Sequence, residues 1–287
     1  MYRIQDFTIP ELVVKASEHF AGRPALAMLG KDPVRYEDLE PRSRRISALL
    51  GLLGVKQGDR VALLSENRPE WGLAYFGISR TGAIAVPILT DFIPEQIDNI
   101  LEHSESVAIF VSQRFLPKLE EKDRKLIVID VESLEVLSGA STPAADAMDR
   151  AAGAFKAPGI EADSLAAIVY TSGTTGHSKG VMLTHRNLIF DAWACRKFVV
   201  LNRRDRLLSI LPLAHTYEFT IGFIIPMMHG SCVYYLDRPP SATALIPALK
   251  AVRPTIVLSV PLVIEKIYHS NIQPTLEAMG AYKVSWL

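Results

Sequence analysis

Short runs rich in Val, Ile and Leu recur along the first half of the chain, at residues 60–64, 83–88, 107–111 and 126–131. Each has the length of a strand buried on both faces and is too short for a helix. Between them lie segments with helical character at 43–53, 69–80 and 94–102. The last two open on Pro69 and Pro94, which suits a first helical turn, where the missing N–H has no partner to lose. Strand and helix in alternation predict an α/β fold built of parallel βαβ layers.

From residue 138 to 164 the pattern lapses into Ala, Gly, Ser, Pro and isolated charges. A loop is expected there, with a subdomain boundary near residue 155 that divides the chain into 1–155 and 156–287. The rhythm then resumes, with strands expected at 165–170, 207–211, 232–236 and 255–260 and helices at 186–198, 242–252 and 262–268. Residues 219–236 hold no Asp, Glu, Lys or Arg, but Gly222, Pro226, His229, Gly230 and Ser231 interrupt them. The stretch reads as a buried helix turning into a buried strand, and no transmembrane segment is expected.

Composition narrows the function classes. Lys plus Arg and Asp plus Glu both number 31, so no net field draws the chain to nucleic acid or to an anionic surface. Two cysteines, Cys195 and Cys232, sit among apolar residues with no metal-binding spacing, which suits a reducing compartment. The N-terminus places Asp6 where a secretory signal needs an apolar run, so the expected location is cytoplasmic.

The segment richest in chemistry is Tyr170-Thr-Ser-Gly-Thr-Thr-Gly-His-Ser-Lys-Gly180, directly after a predicted strand. Glycines let a backbone approach phosphate oxygens closely, N–H groups and hydroxyls donate to them, and Lys179 adds a point charge. A solvent-exposed Gly/Thr/Ser turn has the same composition, so order has to decide. The order is neither that of a Walker A loop, since Lys179 is followed by Gly180, nor Gly-x-Gly-x-x-Gly.

Residues 170–181 resemble the signature loop of the adenylate-forming superfamily of acyl-coenzyme A synthetases, peptide-synthetase adenylation domains and luciferases, Tyr-Thr-Ser-Gly-Thr-Thr-Gly-x-Pro-Lys-Gly-Val. Ser178 replaces the usual proline, and Thr184-His-Arg-Asn187 continues the match. The resemblance implies that Thr171, Ser172, Gly173, Thr174, Thr175, Gly176, Lys179 and Gly180 hold the phosphates of ATP, with the Thr174 hydroxyl helping to place magnesium. Leu211-Pro-Leu-Ala-His-Thr-Tyr-Glu218 resembles the next family motif in its long-chain acyl form. It implies that His215 lines the carboxylate pocket and joins Lys179 in catalysis, and that Tyr217 and Phe219 wall or gate an acyl tunnel. Taken without the resemblance, a lone histidine after a strand is more often a structural residue, and aromatics beside an apolar segment belong to a core.

The fold implied is the N-terminal domain of such an enzyme, truncated. The implied function is ATP-dependent, AMP-forming activation of a fatty acid through an acyl-adenylate to a coenzyme A thioester, with coenzyme A as a substrate. Past Tyr268 the family's adenine and ribose motifs, hinge and small C-terminal domain are absent, so the chain is expected to need the missing part in cis or in trans. Two alternatives stay open, an adenylating domain for an amino or aryl acid and a non-catalytic nucleotide- or acyl-binding module. Ser65-Glu-Asn-Arg-Pro-Glu-Trp71 and Gly82-Ala-Ile-Ala-Val-Pro87 also resemble the family, and both are expected to hold the fold, with Asn67 as a possible helix cap.

Overall fold

The computed structural model describes residues 4–119, 125–171, 179–269 and 273–278. In chain order these form α1 (Ile9–His19), β1 (Pro24–Met28), β2 (Val34–Arg35), α2 (Tyr36–Leu52), β3 (Arg60–Leu64), α3 (Pro69–Arg80), β4 (Ile84–Pro87), α4 (Pro94–His103) and β5 (Ser106–Val111). There follow β6 (Ile127–Asp130), β7 (Val136–Ser138), α5 (Ala145–Ala154), β8 (Leu165–Thr171), β9 (Lys179–Thr184), α6 (His185–Cys195), β10 (Arg206–Ser209), a π-helical turn Glu218–Ile224 and α7 (Ile225–His229). The series closes with β11 (Cys232–Tyr235), α8 (Ala242–Val252), β12 (Ile256–Val257), α9 (Pro261–Ile267) and α10 (Gln273–Ala278).

Among the described residues the strands make two sheets, one ordered β7-β6-β5-β3-β4-β8-β9 and the other β12-β10-β11-β1-β2. Neighbours run parallel except β1 with β2, β6 with β7 and β8 with β9. The chain is therefore α/β with mainly parallel sheets, as its alternating pattern predicts. Each sheet takes strands from both sides of residue 155: β8 joins β4 through Ala85 and Ala167, and β1 joins β11 through Leu26 and Val233. The two sequence segments thus do not coincide with the two sheets.

Three departures from the expected pattern have identifiable reasons within the fold. Helix α2 begins at Tyr36, well before residue 43, with Pro41 inside it. Proline has no N–H for the carbonyl four residues back, and the Ser17 hydroxyl donates to that carbonyl, Glu37 O, at 3.2 Å. Helix α5 falls in the expected loop, and Met148 is the one residue it buries. Asn67 does not cap α3, whose N-cap is Arg68 without a side-chain bond.

The space between the sheets is filled by Trp71, Tyr75 and Phe76 of α3 and by Phe219 and Phe223 of the π-helical turn, all buried. Trp71 stacks on Tyr75 at 5.5 Å between centroids, and Tyr75 meets Phe219 at 4.6 Å. Burying such rings stabilises by roughly 2–3 kcal/mol each before packing geometry is counted, which fixes α3 and the turn against each other.

Candidate functional site

The phosphate-type loop is the connection of a β-hairpin. β8 runs out through Tyr170 and Thr171, β9 returns from Lys179, and the last paired residues are Thr171 and Lys179. Both side chains are exposed. Ser172, Gly173, Thr174, Thr175 and Gly176 lie outside the described residues, so their expected phosphate contacts and the Thr174 magnesium role are not placed. Gly180 is required by packing: a Cβ there would stand 2.9 Å from Ile168 Cγ2 and 3.2 Å from Tyr170 Cζ. The Tyr170 hydroxyl lies 2.7 Å from His103 Nδ1, and burial raises its pKa. The base of the loop is thus pinned to α4.

Thr184-His-Arg-Asn187 has a structural explanation at every position. Thr184 Oγ1 accepts the Asn187 N–H at 3.1 Å, and Asn187 Oδ1 accepts the Thr184 N–H at 2.9 Å, a reciprocal cap that starts α6 as β9 ends. Arg186 makes a two-pronged pair with Asp163, at 2.7 and 2.9 Å. His185 is buried, and its Nδ1 accepts the Ile9 N–H at 3.3 Å, tying α1 to α6. Burial holds its pKa down to about 4.

The histidine segment leaves the C-terminal end of β10. It is held by Asn67, whose amide donates to Leu211 O at 2.6 Å and Ser209 Oγ at 2.9 Å and accepts from Leu213 N–H at 2.8 Å. Sequence reasoning missed this role because the bonded partners lie more than 140 positions away. His215 is exposed. Its Nδ1 accepts the Tyr217 N–H at 3.4 Å. Tyr217 is 41% exposed, whereas Phe219 belongs to the aromatic core. Glu218 is 1% exposed with Ser209 as its hydrogen-bond donor, and burial raises its pKa to about 7.

The two motifs converge at their bases. Ala167 and Val169 of β8, Leu188 of α6, and Leu213, Ala214, Thr216 and Phe219 of the histidine segment line one small apolar cavity. A larger cleft of about 670 Å³ opens beside the histidine segment. It lies where β3, β10 and β11 end, the position at which open α/β sheets take ligands. Glu66, Asn67, Arg114 and Lys118 form its polar wall and Ile210, Leu211 and Leu213 its apolar one. Lys118 Nζ is engaged by the carbonyls of Thr90 and Phe92 at 2.7 and 2.8 Å.

Among the described residues no group of three or more His, Cys, Asp or Glu side chains is arranged to hold a metal, and no helix is long and apolar enough to cross a membrane. Cys195 and Cys232 are both free thiols.

Residues 13–285 match the protein family described as AMP-binding enzyme. The chain is 33% identical over 95% of its length to the long-chain-fatty-acid–[acyl-carrier-protein] ligase AEE15, chloroplastic, of Arabidopsis thaliana, covering 40% of that protein. It is 32% identical over 81% of its length to the long-chain-fatty-acid–CoA ligase FadD15 of Mycobacterium bovis, again covering 40%. The chain therefore spans about 40% of the length of these curated relatives. Its fold superposes with a TM-score of 0.78 on a fatty acyl-adenylate ligase from L. pneumophila in complex with acyl adenylate and pyrophosphate, at 24% identity, covering 95% of this chain and 48% of that one.

Proposed function

Because this chain belongs to the AMP-binding enzyme family, we propose that it is the front portion of an ATP-dependent ligase that activates a fatty acid. A carboxylate oxygen of the acid attacks the α-phosphorus of ATP, pyrophosphate leaves, and a thiol then displaces AMP from the acyl-adenylate. The observation that carries this reading is that β8, the strand leading into the Thr171–Lys179 hairpin, and the segment around His215 line one small apolar cavity together, through Ala167, Val169, Leu213, Ala214 and Thr216. Thr171 and Lys179 end that hairpin, and the exposed His215 stands between Ala214 and Thr216 of the lining.

In this reading Thr171, Lys179 and Gly180, with residues 172–176, receive the β- and γ-phosphates, and Lys179 offsets charge on the departing pyrophosphate. The Thr174 hydroxyl would help to place a magnesium ion, which would neutralise phosphate charge there. His215 Nε2–H donates to the carboxylate of the acid. Tyr217, half out in solvent, gates the acyl chain, and Phe219 supports the gate from below.

The acceptor thiol is that of coenzyme A, the acceptor printed for FadD15. An acyl-carrier protein is a second acceptor to test, because AEE15 is described as using one. The remaining length found in the relatives acts with this chain in cis or in trans. Two free thiols, one buried, suit a reducing, cytoplasmic setting.

A thermal-shift experiment on the native protein tests the reading. Palmitate with magnesium ATP is expected to raise the melting midpoint above that seen with either alone, and Lys179→Ala is expected to remove the gain. Protection by aryl or amino acids in place of alkyl acids would overturn the fatty acid assignment.

A further inference from the structure

Glu218 is the one ionisable member of the histidine segment for which the reaction gives no task, and its surroundings are unusual for a carboxyl group. Its side chain is 1% exposed. Ser209 Oγ donates to Oε1 at 2.6 Å, while Oε2 is buried without a hydrogen-bond partner. Ser209 of β10 and Tyr235 of β11 are paired in register, so their side chains rise on the same face of the sheet, where Glu218 meets Ser209. The Tyr235 hydroxyl is also buried and unpartnered, and the charge of Glu218 acts on it. From the other side, a Cβ at Gly222 would stand 2.5 Å from Glu218 Oε1, so the turn closes tightly over the carboxyl.

We propose that Glu218 is a positioning residue that works as a neutral carboxylic acid: wedged between β10, β11 and the π-helical turn, it holds the turn closed and thereby sets the His215–Tyr217 segment at the turn's entrance. Neutrality follows from what faces the group. The groups facing it are the Ser209 hydroxyl on β10 and Tyr235 on β11; Glu70 at the start of α3 acts on Tyr235 and is itself paired with Arg68 at 2.9 Å. On the α6 side Thr220 donates to Asp191 at 3.2 Å. None of the groups facing Glu218 is a cation, and an ionised carboxylate buried without one is strongly disfavoured. A buried Oε2 without a partner costs far less as part of a neutral acid than as part of an ionised carboxylate.

Ionisation then opposes closure. Burial raises the pKa from 4.5 to about 7. Within that window the closed turn keeps a proton that an open turn, with its carboxyl in water, releases. Closure therefore weakens about tenfold per pH unit as pH rises through the window, and the loss levels off above it, where both states are ionised. The turn also leads into α7 and touches α6 through Thr220, so its opening loosens the face that carries His215 and Tyr217. The consequence for catalysis rests on the fatty acid reading above, but closure itself does not.

Hydrogen–deuterium exchange on the protein without substrates reads closure directly, so its outcome is independent of the function assigned to His215. The probes are the Phe219 amide, bonded to His215 O at 2.9 Å, and the Ile225 amide, bonded to Thr220 O. After correction for intrinsic exchange rates, protection in the wild type is expected to fall between about pH 5 and pH 7 and then to level. Glu218→Gln, which keeps the shape and cannot ionise, is expected to show no such fall. Ser209→Ala removes the one bond that favours the ionised form, and is expected to extend the fall to higher pH. Constant wild-type protection across the window, or an unchanged fall in Glu218→Gln, overturns the proposal; if Glu218→Gln does not fold, an unmoved window in Ser209→Ala does so.

Discussion

Asn67 and Leu213 are joined at 2.8 Å, Leu213 N–H to Asn67 Oδ1, and the same amide donates to Leu211 O at 2.6 Å. A single side chain at the end of β3 thus reads the backbone on both sides of Pro212 and sets the direction in which the chain enters the histidine segment. Asn67→Ala leaves that donor and that acceptor without a partner in a part-buried setting, and is expected to lower stability by about 2–3 kcal/mol in a urea melt. Asn67→Asp keeps an acceptor for Leu213 and loses the donor to Leu211. It is expected to fall between wild type and alanine.

Lys179 is exposed and pairs through its backbone with Thr171 at the mouth of the hairpin. Lys179→Ala is expected to change stability by less than about 0.5 kcal/mol, as for other exposed side chains. Calorimetric titration with magnesium pyrophosphate is expected to show at least a tenfold loss of affinity, on the order of 1.4 kcal/mol, for one charge-assisted contact. Equal affinity in the two proteins would remove Lys179 from the phosphate site.

Gly180 lies against the Tyr170 ring, with a Cβ position 2.9 Å from Ile168 Cγ2. Gly180→Ala is expected to cost about 1–3 kcal/mol through overpacking. The same push on Tyr170 should disturb its 2.7 Å contact with His103, visible as a shift of the His103 ring signals by NMR. Gly153, with open space around it, is the matched control.

His185 gives the chain an acid-sensitive joint. Its pKa falls from 6.5 to about 4 on burial. Between these values the unfolded chain binds a proton that the folded one does not, so stability is complete above pH 6.5 and declines as pH drops toward 4, by up to about 3 kcal/mol. Glu218 acts in the opposite sense over an overlapping window, since acidification restores the proton it favours. The informative quantity is therefore the difference between wild type and His185→Asn, measured by denaturant melts from pH 4 to 7. That difference is expected to shrink with acidification.

How far the sequence discloses the fold depends on how local the determinants are. Helix α3 at Pro69–Arg80 and strand β3 at Arg60–Leu64 occupy their expected residues, because proline at the first turn and a short aliphatic run are local signals. Helix α2 starts early because the partner that rescues Pro41, Ser17, lies on another helix. β1 and β2 escape notice because β1 takes its parallel neighbour from residues 233–235. The same rule governs the site. The order of residues 170–181 and 211–218 carries the chemistry, whereas the clamp by Asn67, the anchoring of α1 by His185 and the burial of Glu218 exist only after distant segments meet.

The central claim is activation of an alkyl carboxylic acid by adenylation, and isotope exchange reads that step without the acceptor thiol. The decisive measurement is acid-dependent exchange of labelled pyrophosphate into ATP by the native protein, with palmitate, benzoate and aspartate compared and Lys179→Ala alongside. The account predicts exchange with palmitate alone and its loss in the variant. Exchange driven by benzoate or aspartate, or none with palmitate, would contradict it.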